Sequence, residues 1–205
     1  KKKEEGFYMP VQRVCRPDHT FRGFQGQIES GVVSVGDDII TLPSGESAKV
    51  KSILIGDKDS QSAQEGQPAT IQLDKEVDVS RGCVLSSGTT LPVSKSLTAT
   101  ILWMDDAELT VGKDYIVKIG TKQVLGVLKN IQYKIDVNTG NFLPANGLSK
   151  NEIAVCDIGL QEAVVIDEFA KHKTLGELIL IDRISNMTSA CGVVTDSSAY
   201  DNKEV

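Results

Sequence analysis

Apolar and polar residues alternate along most of this chain, and the alternation is broken at short intervals by glycine, proline, asparagine and aspartate. Between the turn pairs Ser30-Gly31 and Gly36-Asp37, Val33 and Val35 fall two apart, so both side chains face one side of a pleated strand. The same grammar reads FYMPVQRVC from Phe7 as β-forming around Pro10. It then reads strands at Gly26 to Ile28, Val32 to Val35 and Asp38 to Leu42, a turn at Pro43 to Glu46, and a return strand from Ala48 to Ile55. Gly56 to Ser62 is polar. Ala69, Ile71 and Leu73 alternate strictly with Thr70 and Gln72, which gives the strand one wet and one buried face. Val77 and Val79 precede the turn at Arg81-Gly82, and Cys83 to Leu85 is a short apolar strand.

Ser86 to Pro92 is polar, rich in turn residues and ends in proline, so it divides the chain. Beyond it the pattern resumes with strands at Leu97 to Met104, Tyr115 to Ile119, Val124 to Leu128 and Ile131 to Ile135. Asp136 to Asn141 is an Asn/Gly-rich loop. Strands follow at Ile153 to Leu160, Val164 to Ile166, Leu178 to Asp182 and Asn186 to Val194. Asp167 to Lys173 has a weak helical spacing but is only about two turns long, and reads as a loop. Neither half has the long 3.6-period stripe that a parallel α/β fold requires, so the predicted class is all-β. The arrangement predicted is two consecutive closed antiparallel barrels at 7–92 and 93–195, with a linker at 1–6 and a polar tail at 196–205.

The chain has 205 residues, enough for two small cores, and its 40% hydrophobic and 24% charged content is ordinary for a globular protein. No apolar run approaches the roughly 20 residues of a membrane helix, and KKKEEG lacks the apolar stretch of a signal peptide, so it reads as a linker from a preceding domain. A net charge of -6 disfavours nucleic acid as a partner. Cys15, Cys83, Cys156 and Cys191 are far apart, form no C-x-x-C, and have only His19 and His172 as companions. Metal chemistry is therefore disfavoured, each cysteine reads as a small buried hydrophobe, and the expected compartment is the reducing cytoplasm.

No phosphate-binding G-x-x-x-x-G-K-[ST] loop is present, since Gly112-Lys113 is followed by Asp114 and reads as a turn. His19 and His172 read as solvated surface. The pairs Asp37-Asp38, Asp105-Asp106 and Asp167-Glu168 read as turn-formers, because neighbours on an extended strand point to opposite faces. By its residues this chain alone is not an enzyme, and no catalytic, cofactor or metal residue is expected in it. A binding role has two candidates: the loop Phe21-Arg22-Gly23-Phe24, with aromatics and an arginine, and Trp103-Met104 at a strand end.

Pro10-Val11-Gln12, the motif Gly26 to Asp37, Gly66 and Arg81-Gly82 resemble barrel domain two of elongation factor Tu and its relatives. Ile101 to Met104, Tyr115 to Lys118, Ile135 to Thr139, Asn151 to Ile153 and Leu180 to Thr188 narrow the resemblance to domain three of the large, GTP-hydrolysing subunit of sulfate adenylyltransferase. Departures are Cys191, where that family usually has a small residue, and Asp167 to Gly176, which matches poorly. The resemblance implies a heterodimer in which this subunit hydrolyses GTP to drive an adenylyl-transferring partner that makes adenosine 5′-phosphosulfate from ATP and sulfate. It places GTP and Mg in a GTPase domain before Lys1, and puts Arg22, Phe24 and Arg81 near the rim facing that domain. The competing classes are tRNA-binding barrels of a translation factor and a stand-alone two-barrel interaction module.

Overall fold

The computed structural model describes residues 6–16 and 22–196; His19, Phe21 and most of the linker and tail read from the sequence lie outside them. The chain divides between Leu91 and Pro92 into two compact units, each with its own apolar cluster.

The first unit contains β1 (Phe7–Pro10), β2 (Arg13–Cys15), β3 (Gly23–Gln27), β4 (Val32–Ser34), β5 (Asp38–Leu42), β6 (Ser47–Ile55), β7 (Lys58–Ser60), β8 (Ser62–Gln64), β9 (Pro68–Leu73) and β10 (Val84–Ser87). They pair antiparallel in the order β1-β10-β5-β6-β9-β3-β2, with β7 folded back on β6 and β4 paired to β8. The sheet curls so that β1 meets the chain beyond β3: Tyr8 N–H donates to the Ser30 carbonyl at 3.3 Å and Glu29 N–H to the Tyr8 carbonyl at 3.1 Å. Two glycines permit that approach. A Cβ on Gly26 would fall on the Pro10 carbonyl oxygen, and one on Gly31, at φ +72, would lie 2.7 Å from Phe7 N. Met9, Phe24, Ile28, Val33, Ile39 and Ile71 fill the interior.

The second unit contains β11 (Val93–Trp103), β12 (Asp114–Ile119), β13 (Lys122–Ile135), β14 (Phe142–Leu143), β15 (Ile153–Val165), the short helix α1 (Lys173–Gly176), β16 (Glu177–Ile181) and β17 (Thr188–Asp196). The order β12-β16-β17-β11-β15-β13 is closed by pairing of β12 with β13, so six antiparallel strands form a barrel without open edges and β14 extends β13 at one end. Register shifts at Ser94/Ser96, Leu128/Asn130 and Ile131/Tyr133 let the long strands coil around the core. Alternate residues point inward: Leu97, Ala99, Ile101 and Trp103 from β11, with Ala154, Cys156, Ile158 and Leu160 from β15.

The all-β expectation holds, and several elements differ from it. Gly56 to Ser62 holds β7 and the start of β8, because a tight hairpin needs few apolar residues when its neighbours supply the core. The two strands read at Val124 to Leu128 and Ile131 to Ile135 are one, β13, and those at Ile153 to Leu160 and Val164 to Ile166 are one, β15. In β13 the shifts of phase that mimic a break are bulges. Phe24 lies in β3 and not in a loop, since Gly26 conceals an inward series of Phe24, Gly26 and Ile28. Residues Val77 and Val79 are buried without forming a strand.

Candidate functional site

Arg22 precedes β3 and reaches the irregular segment after β9. Its guanidinium donates to the Val77 carbonyl at 2.5 Å, pairs with Glu76 at 3.3 Å and lies 5.7 Å from the centre of the Phe24 ring. Phe24 is buried in the first core and forms the floor under this arginine. Arg22, Phe24, Leu73, Lys75, Glu76 and Val77 line a shallow recess with a cavity volume of about 10 Å³, far below the roughly 300–1,000 Å³ of small-molecule sites. The arrangement clamps one segment to another and offers no room for a nucleotide. Arg81 is exposed and makes no hydrogen bond or ion pair among the described residues.

Trp103 belongs to the second unit and is buried. Its indole N–H donates to the Ala107 carbonyl at 2.8 Å and its ring meets Tyr115 edge-on at 5.9 Å. It therefore anchors the loop after β11. Burial raises the Tyr115 hydroxyl pKa, while Lys113, 5.2 Å from the ring centre, opposes that shift. Lys113 continues to Asp182 at 2.9 Å. The backbone N–H groups of Ser185 and Ile184, together with Lys113, hold the Asp182 carboxyl well below the usual carboxylate range. Glu152 is lowered mainly by its ion pair with Lys134. Of the four residues singled out from sequence, the structure thus brings Arg22 and Phe24 together and leaves Arg81 and Trp103 apart from that pair in role: one exposed, the other in a core.

Two polar clusters carried no periodic signal. Asp157, buried although it faces away from the barrel interior, accepts from Thr98 Oγ1 at 2.8 Å, Gln132 Nε2 at 2.9 Å and Asn130 Nδ2 at 3.3 Å. His172 is half-buried with Nδ1 2.6 Å from Asp167 Oδ2, which corrects its reading as a solvated residue. The contact spans five residues across the lead-in to α1, a geometry that a loop pattern does not disclose. The carboxylate pairs behave as turn-formers and ion-pair partners. Asp37 accepts from Ser34 N–H at 2.8 Å, Asp38 pairs with Lys49 at 2.7 Å, and Asp105 accepts from Ser189 Oγ at 2.8 Å. Cys156 is buried, and burial aided by Asp157 pushes its thiol up to about 12; Cys15, Cys83 and Cys191 are only partly buried, short of the full burial expected. Among the described residues no group of three or more His, Cys, Asp or Glu comes together, and no helix is long and apolar enough to cross a membrane.

Residues 96–195 match the family described as GTP-eEF1A C-terminal domain-like. Across 97% of its length the chain is 41% identical to sulfate adenylyltransferase subunit 1 of Francisella tularensis subsp. novicida, and 40% identical to the protein of that name from Teredinibacter turnerae. It spans 42% of the length of each of these relatives. Among solved structures, sup35 complexed with GDP superposes with a TM-score of 0.86 at 21% identity, covering 94% of this chain and 48% of that one. The GMPPNP complex gives 0.84 at 22% identity, with coverages of 93% and 47%. The two-barrel fold and the resemblance to sulfate adenylyltransferase subunit 1, read from the sequence motifs, are thereby borne out.

Proposed function

From a chain that resembles sulfate adenylyltransferase subunit 1 through both of its barrels, we propose that these barrels serve the GTP-hydrolysing subunit of a sulfate adenylyltransferase. In that role they couple GTP hydrolysis to formation of adenosine 5′-phosphosulfate from ATP and sulfate in the cytoplasm. The observation that carries the proposal is the 41% identity running over 97% of the chain, because fold likeness near 21% is shared with proteins of other function. GTP and Mg are assigned to a GTPase domain preceding Lys1, and the barrels contribute no catalytic group.

Within this reading the barrels dock differently on the GTP and GDP forms of the GTPase domain, and a nucleotide shifts that equilibrium only by its differential affinity for the two arrangements. Arg81, exposed beside Gly82, and the Arg22 clamp above Phe24 are the groups proposed to face the GTPase domain. The test is made on the full-length protein with its adenylyl-transferring companion subunit. GTP hydrolysis should accelerate when ATP and sulfate are supplied, and Arg81→Ala should weaken that coupling without lowering the melting temperature. Hydrolysis indifferent to sulfate and to the companion overturns the reading.

A further inference from the structure

The outer surface of the second barrel departs from the polar-out pattern expected of an antiparallel sheet facing water. Strand register aligns Phe142 with Ile135, Ile135 with Ile153, Ile153 with Leu102, Leu102 with Cys191, and Cys191 with Ile179. Directly opposed residues share a face, so these six form one apolar row across six strands, on the side away from the core. Phe142 is 66% exposed and Leu102 36%, and the other four are partly exposed. The next row on that face is Tyr133, Val155, Thr100 and Val193, with Tyr133 stacked on Phe142 at 4.3 Å between ring centres. The loops at this end of the barrel add Met104, Ile184 and Met187, each more than 40% exposed. A contiguous apolar face of this kind marks an interaction site.

The charges bordering the face indicate what covers it. At this end Lys113, Lys134, Lys150 and Arg183 are each paired with a carboxylate: Asp182, Glu152, Asp106 and Asp114. Asp105, Glu108 and Asp136 have no ion pair among the described residues. Among the described residues the border is therefore net acidic, relieved by Lys118 where the row ends opposite Ile179. Phosphate backbones are repelled by such a border, and a second copy would set the same uncompensated carboxylates against one another. We propose that this face docks a protein surface whose apolar side chains are flanked by lysine or arginine. Resting on the functional reading above, that surface belongs to the companion adenylyl-transferring subunit.

The experiment measures the dissociation constant of the full-length protein for the companion subunit of the same organism by titration calorimetry. Three proteins are compared: the wild type, the double variant Phe142→Ser/Leu102→Thr, and Ile40→Thr, which changes an exposed apolar residue of the first barrel. Thermal melting confirms that each is folded. The double variant should bind about tenfold or more weakly, with Ile40→Thr unchanged, and alkylation of Cys191 by N-ethylmaleimide should slow in the wild-type complex. Equal binding by all three, with Cys191 unprotected, overturns the face assignment while leaving the functional reading standing. A wild type that fails to bind overturns the functional reading and with it the occupant named here. Should light scattering show that the wild type self-associates and the double variant does not, a second copy replaces the proposed partner.

Discussion

Asp157 illustrates how a single residue can be fixed by its neighbours yet silent in the sequence. Its alternation places it on the outer side of β15, where an aspartate reads as solvated, but Thr98, Asn130 and Gln132 converge on it from two adjacent strands. Asp157→Ala leaves buried donors unpaired and is expected to cost about 1–3 kcal/mol of stability, measurable by denaturant unfolding. Thr98→Val removes one bond and should cost about 0.5–1.5 kcal/mol. The neighbouring Cys156 makes the opposite case, since an apolar strand already marks it as buried. With its thiol held near 12 by burial, it should resist Ellman's reagent at pH 8 until denaturant is added, whereas Cys191 should react in the native protein. Rapid native modification of Cys156 would contradict this packing.

At the scale of elements, the strands most legible in the sequence are those whose inward positions carry side chains, such as Ala69, Ile71 and Leu73 in β9. The least legible are those in which glycine stands at an inward position or a bulge changes the phase. Gly26 hid the inward role of Phe24, and the bulges of β13 made one strand read as two. Gly31 is where the turn pair and the barrel closure coincide. Gly31→Ala meets both a left-handed φ and the Phe7 backbone, so the loss should exceed the roughly 1 kcal/mol of an incompatible backbone alone, read as a fall in the denaturation midpoint. The turn joining β16 to β17 and the residue just before β15 supply a pH signature. Asp182 and Glu152 have folded pKa values below their ordinary ones of 3.8 and 4.5, so their contribution is present above those values and is lost as the pH falls below them. Melting temperature should therefore decline more steeply below about pH 4.5 in the wild type than in Asp182→Asn/Glu152→Gln, a difference absent if the two carboxylates are unpaired in solution.

For the whole molecule, periodicity sufficed for the class and the motifs for the kinship, but neither could show the apolar face of the second barrel. Phe142, Ile135, Ile153, Leu102, Cys191 and Ile179 come from six separate segments and become neighbours only through register. Such a face demands a scaffold that keeps its register when nothing covers it. Closure of β12 onto β13 supplies this, because every strand of the six is paired on both sides and the interior is filled by Trp103, Tyr115, Ile101 and Ile158. Residues 92–205 should therefore fold when expressed alone, giving a β-type circular dichroism spectrum and one cooperative thermal transition. Ile158→Ala, which empties a site in the middle of that core, should lower its stability by about 2–5 kcal/mol. A fragment that stays unfolded would mean that the register, and with it the outer apolar row, depends on the first unit. Docking would then have to be treated as a property of both barrels jointly.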